Sequence, residues 1–438
     1  MIPNLKGKLK NLSSSSLSSK ESNTILENPT LDCGTVKEES SEDIQNRTIE
    51  NPNNFGGQLI TSPDGSFVKK RILYGTDAFY GSTSLAKLFA WDFSNSQWWT
   101  RLDQDFNPKD IVFLDTETTG LSGGSGTYAF LVGLGYITDE GLVVEQYLMR
   151  DFDEEYPMLQ SVIDTLKNYQ VLVTFNGKSF DWPLMESRLI YSRLKPLHWE
   201  NTHLDLLHIS RRIWANYLES CSLSSIEENI LGNVRHNDIP GSMIPKAYWD
   251  YLDTREADEM ERIIKHNELD IVAMAALLLH ISKLFLDPIA IASGDTSQLI
   301  RDASQLLGIA RELERNDRIM EAAECYEACI RSAPNRSLKI EAKKRIAYMK
   351  KRHEGPGEAM DLWLDLADEQ GSMLLFPFIE MAKYFEHKSK DFQNALDCTD
   401  KAIQMTKMRS TSSNLLEDLL KRRRRLIRKL GRGNKQWG

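Results

Sequence analysis

The sequence has few cysteines and none of the cysteine motifs that bind metals or exchange electrons. Its five cysteines are Cys33, Cys221, Cys325, Cys329 and Cys398. None belongs to a Cys-x-x-Cys pair, which argues against zinc knuckles and dithiol redox sites. Cys325 and Cys329 stand one helical turn apart, so we expect them to pack as small hydrophobic side chains.

An excess of positive charge is also missing. The 54 Lys and Arg residues are outnumbered by 63 Asp and Glu residues, which gives a formal net charge of −9. A protein that coats its surface with basic residues to bind nucleic acid has the opposite balance. Any site for a polyanion must therefore be local, or must act through bound metal ions.

No apolar run reaches membrane-spanning length, and the N-terminal Met-Ile-Pro-Asn-Leu-Lys-Gly-Lys lacks the apolar core of a signal peptide. We therefore expect a cytoplasmic protein with no membrane partner. Residues 1–55 are rich in Ser, Asn, Glu and Thr. We predict that this segment is disordered, because it has too little apolar surface to offset the entropy lost on ordering.

The most informative stretch runs from Ile111 to Gly120. Its first four residues are apolar and predict a buried strand, and Asp115 and Glu117 follow at its end. Residues two apart on a strand face the same side, and neighbouring carboxylates repel unless a cation joins them. Hard oxygen ligands suit Mg²⁺ or Mn²⁺. Two solvated acids at a strand end are the alternative.

Two further acids follow later elements. Asp181 lies after a second predicted strand, Val171–Phe175, where a helix begins. It is either a metal ligand or the N-cap of that helix, and its position leaves both open. On a long helix predicted from about 257 to 285, His266 and Asp270 stand four residues apart and share one face. This pair is either a proton acceptor beside another ligand, or a surface pair.

The polar residues before the long helix carry two more expectations. Arg235 either contacts a phosphate or forms an ion pair with Asp238. Ser224 and Glu227 have the spacing of a capping box at a helix N-terminus, so we expect their side chains to bond to the backbone there.

The order of the elements predicts an α/β domain over residues 110–287. Three strands at about 111–115, 128–137 and 142–149 are expected to form an antiparallel meander. Residues 56–109 contain a hairpin-like pattern around Asp64-Gly65 and several tryptophans, and are predicted to pack on this domain. In a twisted sheet flanked by helices the four acids can converge, and two metal ions held there form a phosphodiesterase centre.

Three motifs of the domain resemble the exonuclease motifs of the DEDD superfamily, which has the ribonuclease H-like fold. They are Phe-Leu-Asp115-Thr-Glu117-Thr-Thr-Gly, Phe-Asn176-Gly-Lys-Ser-Phe-Asp181 and His266-Asn-Glu-Leu-Asp270. The match is closest to the bacterial YprB-type ribonuclease H-like proteins. The resemblance implies an α/β domain with a mixed sheet flanked by helices.

The resemblance also implies roles for single residues. Asp115, Glu117, Asp181 and Asp270 would hold two divalent ions, with Asp115 bridging them. The superfamily takes its general base from a Tyr four residues before the last Asp, or from a His five before it. Here His266 stands at the Tyr spacing, so the sequence matches neither pattern, although His266 can still serve as the base. Thr118, Asn176 and Arg235 are expected to contact the substrate.

The C-terminal part has a different pattern. Over residues 299–408, small and large residues follow the spacing of tetratricopeptide repeats, with key alanines at 322, 359 and 395. Such repeats form a surface for a protein partner, and an ordinary helical bundle is the alternative. Residues 409–438 form a basic tail that can contact phosphates or remain solvated.

These features predict a metal-dependent nuclease that removes nucleotides from the 3′ end of single-stranded nucleic acid. The first alternative is a catalytically weak nucleic-acid-binding scaffold whose repeats recruit a partner. The second is an endonuclease that cuts within a strand. The choice between DNA and RNA stays open, because no short motif marks contacts to a 2′-hydroxyl.

Overall fold

The computed structural model describes residues 55–89, 91–93, 96–102, 105–120, 126–199, 202–293, 302–369, 374–408 and 413–433. The segment predicted to be disordered lies outside these residues except for Phe55. This residue is 3% exposed and packs edge-on against Tyr251, with ring centroids 6.0 Å apart. The predicted boundary between 55 and 56 is therefore wrong by one residue, because Phe55 buries its ring in the folded part.

Among the described residues, seven strands form a central sheet in the order β1-β2-β7-β6-β5-β8-β9. The strands of the chain are β1 (Gln58–Ser62), β2 (Gly65–Gly75), β3 (Phe79–Tyr80), β4 (Thr83–Ser84), β5 (Ile111–Thr118), β6 (Ala129–Ile137), β7 (Gly141–Leu148), β8 (Val171–Thr174) and β9 (His203–Asp205). β5, β6 and β7 form the predicted antiparallel meander, and β8 and β9 run parallel to β5. The predicted mixed sheet is confirmed.

The hairpin predicted around Asp64-Gly65 is present as β1 and β2, and it belongs to the sheet itself. β2 pairs with β7 in an antiparallel register that begins with Val68 opposite Leu148. The hairpin, which belongs to the segment predicted to pack on the domain, is thus part of its sheet. The physical reason is that β2 satisfies the backbone groups that β7 would otherwise expose at its edge.

Helices cover both faces of the sheet. They are α1 (Ala86–Phe89), α2 (Gln97–Thr100), α3 (Glu155–Leu166), α4 (Asp181–Tyr191), α5 (Leu206–Trp214), α6 (Leu223–Ile226), α7 (Ile244–Thr254) and α8 (Asp258–Leu286). Along β5, Ile111 and Phe113 face the core that contains residues of α5 and α8, whereas Val112 and Leu114 face the core that contains residues of α3. This alternation places β5 between two apolar layers.

The long helix α8 is the centre of one of these layers. By length and composition it could cross a membrane, so the expectation that no apolar run reaches that length is wrong. However, 78% of its most apolar window is buried inside the protein. A helical segment that is apolar on all sides is expected to be surrounded by a core, and this packing accounts for the composition of that window.

Two glycines of β6 allow α8 to approach the sheet. A Cβ added at Gly133 would lie 2.3 Å from Asn267 Oδ1, and one added at Gly135 would lie 2.3 Å from Ile271 Cγ2. Both positions therefore need glycine, which permits the close approach of another element. Because Gly133 is the register partner of Asp115, this approach also brings α8 next to the first candidate ligand.

A helical region follows the sheet domain, as predicted. Its helices are α9 (Pro288–Ser293), α10 (Ala303–Arg315), α11 (Ile319–Ser332), α12 (Arg336–His353), α13 (Met360–Asp368), α14 (Leu375–Tyr384), α15 (Phe392–Met408) and α16 (Ser413–Gly433). Ala322, Ala359 and Ala395 are each 0% exposed. Their tetratricopeptide assignment stays a prediction. The predicted basic tail is largely helical, because α16 packs against α15.

The helical region docks on the sheet domain through α10 and α5. A Cβ added at Gly308 would lie 2.3 Å from the carbonyl oxygen of Ile213, so the two helices touch closely here. The fully buried Glu312 pairs with Arg212 at 3.3 Å and with Arg101 at 3.4 Å. These ion pairs join the helical region both to α5 and to the segment that precedes β5.

The tryptophans and two cysteines pack as predicted. Trp98 and Trp99 contact Phe285 of α8, with ring centroids 4.9 and 5.8 Å apart, respectively. Cys325 and Cys329 are both 0% exposed and carry free thiols. In each case the side chain contributes apolar surface to a core, which accounts for its position.

Gly135→Ala tests the close packing of α8 on the sheet. The new methyl group would overlap Ile271 Cγ2, so we expect the free energy of unfolding to fall by about 1–3 kcal/mol. Urea unfolding followed by circular dichroism measures this loss. Gly241→Ala is the control, because nothing lies within 4 Å of a Cβ there and stability should hardly change. Equal stability of the two variants would contradict this account of the packing.

Candidate active site

The first two acids of the site lie near the end of β5. This strand runs to Thr118, three residues further than predicted, and Asp115 and Glu117 share one side of it. The register changes between Glu117 and Thr118, where β5 has an irregularity against β6. Glu117 is 8% exposed, so it is not a solvated surface acid.

The amide of Asn267 holds Asp115 in place. Its Nδ2 donates to Asp115 Oδ2 at 2.8 Å, and its Oδ1 accepts from the side chain of Gln146 at 2.9 Å. Asn267 and Gln146 are 0% and 1% exposed, respectively. This buried polar row crosses the sheet beside Gly133, and it fixes the orientation of one carboxylate from α8.

Asp181 is the first residue of α4, and its carboxylate points to β5. Its Oδ1 accepts from the backbone nitrogen of Thr116 at 3.2 Å and from the Thr116 hydroxyl at 2.6 Å. The N-cap position belongs to Phe180, so the alternative that Asp181 caps the helix is wrong. The hydrogen bonds to Thr116 place the third acid beside the first two.

The turn that carries Asp181 is held by an acid from the neighbouring strand. Asn176 has a φ of 68°, a left-handed conformation that asparagine tolerates better than most residues. Asp205 accepts from the backbone nitrogens of Asn176 at 2.8 Å and Lys178 at 3.1 Å. It also accepts from Leu207 at 3.0 Å and thereby caps α5. Asp205 is therefore an anchor of the turn.

His266 and Asp270 lie on one face of α8, as predicted, and both are 17% exposed. The Nδ1 atom of His266 is 2.8 Å from Asp238 Oδ1, while Nε2 is 3.6 Å from Asp270 Oδ2. The predicted pair is thus a three-membered set that includes Asp238 from the preceding loop. A partner on Nδ1 fixes the orientation of the imidazole ring.

Arg235 lies among three carboxylates. Its Nε and Nη2 donate to Glu227 at 2.9 and 2.7 Å, its Nη1 donates to Asp238 at 3.3 Å, and its Nη2 also donates to Asp270 Oδ1 at 2.5 Å. The ion pair with Asp238, one of the two alternatives for Arg235, is therefore formed. The Arg235 side chain is 8% exposed.

The predicted capping box of Ser224 and Glu227 does not form. Ser222 caps α6 instead, by accepting from the backbone of Ser225 at 3.3 Å. The carboxylate of Glu227 accepts from Arg235 and from the Tyr80 hydroxyl. The cause is burial: Glu227 is 1% exposed, and a buried carboxylate needs a cation more than a helix end needs a cap.

The four predicted acids interact electrostatically. Burial raises the pKa of Asp115 well above its ordinary value, and the charges of Asp270 and Asp181 add to this shift. Burial likewise raises the pKa of Glu117, with Asp115, Asp270 and Asp181 as further causes. Burial also raises the pKa of Asp181 to about 6. The structure thus gathers the four carboxylates into one region, where ionisation of Asp115, Glu117 and Asp181 is unfavourable.

The donor set fits a hard divalent cation in its chemistry. Buried carboxylates that lie close together gain stability from a metal ion. Among the described residues, however, no group of three or more His, Cys, Asp and Glu side chains is arranged so that it could hold a metal ion without rearrangement. Asp181 Oδ1 is directed at Thr116, and Asp270 Oδ1 at Arg235. These contacts leave the second oxygen of each carboxylate, Oδ2, for a cation.

Of the residues predicted to contact substrate, Arg235 bonds to Asp270, and Thr118 and Asn176 lie on the segments that carry Glu117 and Asp181. The Thr118 hydroxyl donates to the carbonyl of Gly120 at 2.9 Å, and Thr118 is half-buried at the end of β5. Asn176 is half-buried at the turn before α4. Much of the loop that follows Thr118 lies outside the described residues. These positions carry no contact that assigns them to a substrate.

Comparisons with known proteins place the sheet domain in a family. The RNase_H superfamily model matches residues 112–282, which include most of β5 and most of α8. These residues are therefore a domain of the RNase H superfamily. Over 303 residues the chain is 32% identical to the uncharacterized protein YprB of Bacillus subtilis (strain 168). The matched region covers 68% of this chain and 70% of that protein. The chain belongs to the YprB family.

A solved structure also shows a distant likeness. It is the family B DNA polymerase from the hyperthermophilic archaeon Pyrobaculum calidifontis, with a TM-score of 0.31 and 16% identity. The match covers 49% of this chain and only 30% of the polymerase. A likeness this low bears neither on the fold nor on the function.

The carboxylate cluster makes the stability of the metal-free protein depend on pH. The folded-state pKa of Asp181, about 6, lies above its ordinary value of 3.8. As the pH falls, Asp181 therefore takes up its proton at a higher pH in the folded protein than in the unfolded protein. At about pH 7.5 we expect Asp181→Asn to raise the free energy of unfolding by about 1–2 kcal/mol, since the variant removes a buried, repelled charge.

Urea unfolding in the presence of a chelator measures this difference across the pH range. The advantage of Asp181→Asn should shrink as the pH falls through about 6, because the wild-type carboxyl is then protonated as well. Asp253→Asn, at an exposed position of α7, is the control and should show no such trend. An advantage that is the same at every pH would exclude repulsion as its source.

Proposed function

We propose that the protein is a metal-dependent nuclease that removes nucleotides from the 3′ end of single-stranded nucleic acid with two Mg²⁺ or Mn²⁺ ions. The observation that carries the proposal is the cluster of Asp115, Glu117, Asp181 and Asp270. Membership of the RNase H superfamily suggests a nuclease and a nucleic-acid substrate. The charge of the whole protein, −9, favours a local site over a broad basic surface.

The four acids are assigned to the metal ions, with Asp115 as the shared ligand. The ions, when bound, would supply a nucleophilic hydroxide and stabilise the leaving 3′ oxygen. The protein supplies position. Asn267 holds Asp115 by a 2.8 Å hydrogen bond, and Thr116 holds Asp181 by one of 2.6 Å. Such fixed orientation lowers the reorganisation needed in the transition state.

His266 is the proposed proton acceptor. Asp238 bonds to Nδ1 at 2.8 Å and can thereby set the tautomer that leaves Nε2 as the basic nitrogen. Nε2 faces Asp270, at 3.6 Å from its Oδ2. The ring thus lies beside one of the proposed ligands, where a water molecule would lose its proton.

The remaining assignments are also proposals. Thr118, Asn176 and Arg235 are assigned to substrate contacts, since Arg235 bonds to Asp270 and the other two lie on the segments that carry Glu117 and Asp181. The helical region from 299 to 408 is assigned to a protein partner, and the cytoplasm is the proposed location. Residues 110–287, together with the β1–β2 hairpin, form the proposed nuclease domain.

A binding scaffold without turnover is the second candidate. One observation favours it: Arg235 already neutralises Asp270, so part of the acid cluster has a counter-ion without any metal. In that case the helical region would carry the main function. Activity of the wild-type protein that depends on Asp115 would decide against this candidate.

Asp115→Asn tests the nuclease directly. We expect end-labelled single-stranded DNA or RNA to be shortened by the wild-type protein with Mn²⁺ and not with chelator. The variant should lose at least about 100-fold in rate, because it removes the shared ligand. Denaturing gels of the products also show which sugar is preferred. No product with any substrate or metal would contradict the proposal and favour the scaffold.

The control variant is Asp253→Asn, which changes an exposed acid of α7 and should keep full activity. A substrate with a blocked 3′ end separates the two directions of attack. An exonuclease leaves it intact, whereas an endonuclease cuts it into internal fragments.

His266→Gln tests the proton acceptor. We expect the rate to fall by about 10²–10⁴-fold while the affinity for Mn²⁺ stays within about twofold, since the base acts on the water and not on the metal. Single-turnover kinetics and a Mn²⁺ titration measure the two quantities. A variant with the wild-type rate would show that another group is the base.

A further inference from the structure

One nitrogen of the Arg235 guanidinium donates hydrogen bonds to two carboxylates. Nη2 donates both to Glu227 at 2.7 Å and to Asp270 Oδ1 at 2.5 Å. A second bond, from Nε to Glu227 at 2.9 Å, makes the contact with Glu227 two-pronged. The contact with Asp270 is single. Of the two acids, Glu227 therefore holds the guanidinium more firmly.

The Glu227 side of this contact is fixed by the fold. Glu227 is 1% exposed, and its carboxylate also accepts from the Tyr80 hydroxyl. Glu227 begins the π-helical segment Glu227–Leu231, which is tied to the β3–β4 hairpin because the backbone nitrogen of Ser82 donates to the carbonyl of Leu231 at 2.9 Å. The Asp270 side is less enclosed, since this side chain is 17% exposed. Release from Asp270 is therefore easier than release from Glu227.

We infer that Arg235 is an internal counter-ion that competes with a divalent cation for Asp270. The inference rests on the proposed metal centre and adds a regulator to it. A carboxylate oxygen that already accepts from a guanidinium is a poorer ligand, and two cations at one oxygen repel each other. The metal position that depends on Asp270 is consequently the weaker one, while Asp115, Glu117 and Asp181 hold the first ion.

A metal ion that displaced Arg235 from Asp270 would also leave the guanidinium able to contact the substrate. Once Asp270 is taken by a cation, Nη2 is released on that side while Glu227 still holds the guanidinium in place. An arginine anchored in this way next to a metal centre is well suited to contact a phosphate oxygen. This links the ion pair of the metal-free protein to the substrate contact proposed for Arg235.

The test is a Mn²⁺ titration of the full-length protein, in which electron paramagnetic resonance reports the unbound ion. The variant Arg235→Met removes the competing charge and keeps much of the side-chain volume. We expect its weaker Mn²⁺ site to bind at least about tenfold more tightly than that of the wild type, which corresponds to about 1.4 kcal/mol. The stronger site should change little.

Two further variants make the result specific. Arg188→Met is the matched control, since Arg188 is 7% exposed and contacts Glu155 through two bonds of 2.6 Å. It should lose stability without changing Mn²⁺ affinity. The double variant Glu227→Gln/Arg235→Met removes the buried pair together, so that no uncompensated charge prevents folding. It should reproduce the tighter binding of the single variant.

The outcomes separate this inference from the proposed function. The inference is overturned if Mn²⁺ binds no more tightly to either Arg235 variant than to the wild type. The proposed metal centre still stands in that case, provided that the wild type binds Mn²⁺ and Asp115→Asn abolishes this binding. Mn²⁺ binding by none of the proteins overturns both. Tighter binding in both Arg235 variants, but not in Arg188→Met, supports the competition.

Discussion

The concentration of negative charge at the end of β5 is the constraint on which the site depends. Asp115 and Glu117 share one side of a strand, and Asp181 is drawn to the same strand by Thr116. Burial raises the pKa values of all three, and repulsion within the cluster adds to the shifts of Asp115 and Glu117. A proton or a counter-charge stabilises such an arrangement, and the surrounding structure supplies a counter-charge through Arg235.

The packing of α8 on β6 determines how closely Asn267 and the last acid, Asp270, approach the acids of β5. Gly133 and Gly135 remove the side chains that would keep the helix away. As a result, Asn267 reaches Asp115, and one turn of the same helix carries His266 and Asp270. Apolar packing and the polar site therefore share one cause, the absence of two Cβ atoms in the middle of a buried strand.

The sequence predicted the elements better than it predicted their contacts. The strands and α8 follow from local apolar periodicity, and the spacing of Asp115 and Glu117 is itself local, so both were accessible. The hydrogen bond between Glu227 and Tyr80 was not accessible, because the two residues are 147 positions apart and the capping-box spacing gave a local alternative for Glu227. Nor was Asn267, since its contact with Asp115 spans 152 residues. The two glycines of β6 were the one available signal for that close approach.

Arg235 explains how an acid cluster can be part of a stable fold before any metal binds. Its contact with Glu227 joins the site to the β3–β4 ladder through Tyr80, and its contact with Asp270 joins it to α8. A metal ion would replace only the second contact, since Glu227 lies on the enclosed side. The fold can therefore keep its structural ion pair while the site exchanges one cation for another, and stability need not be lost for the acids to be available.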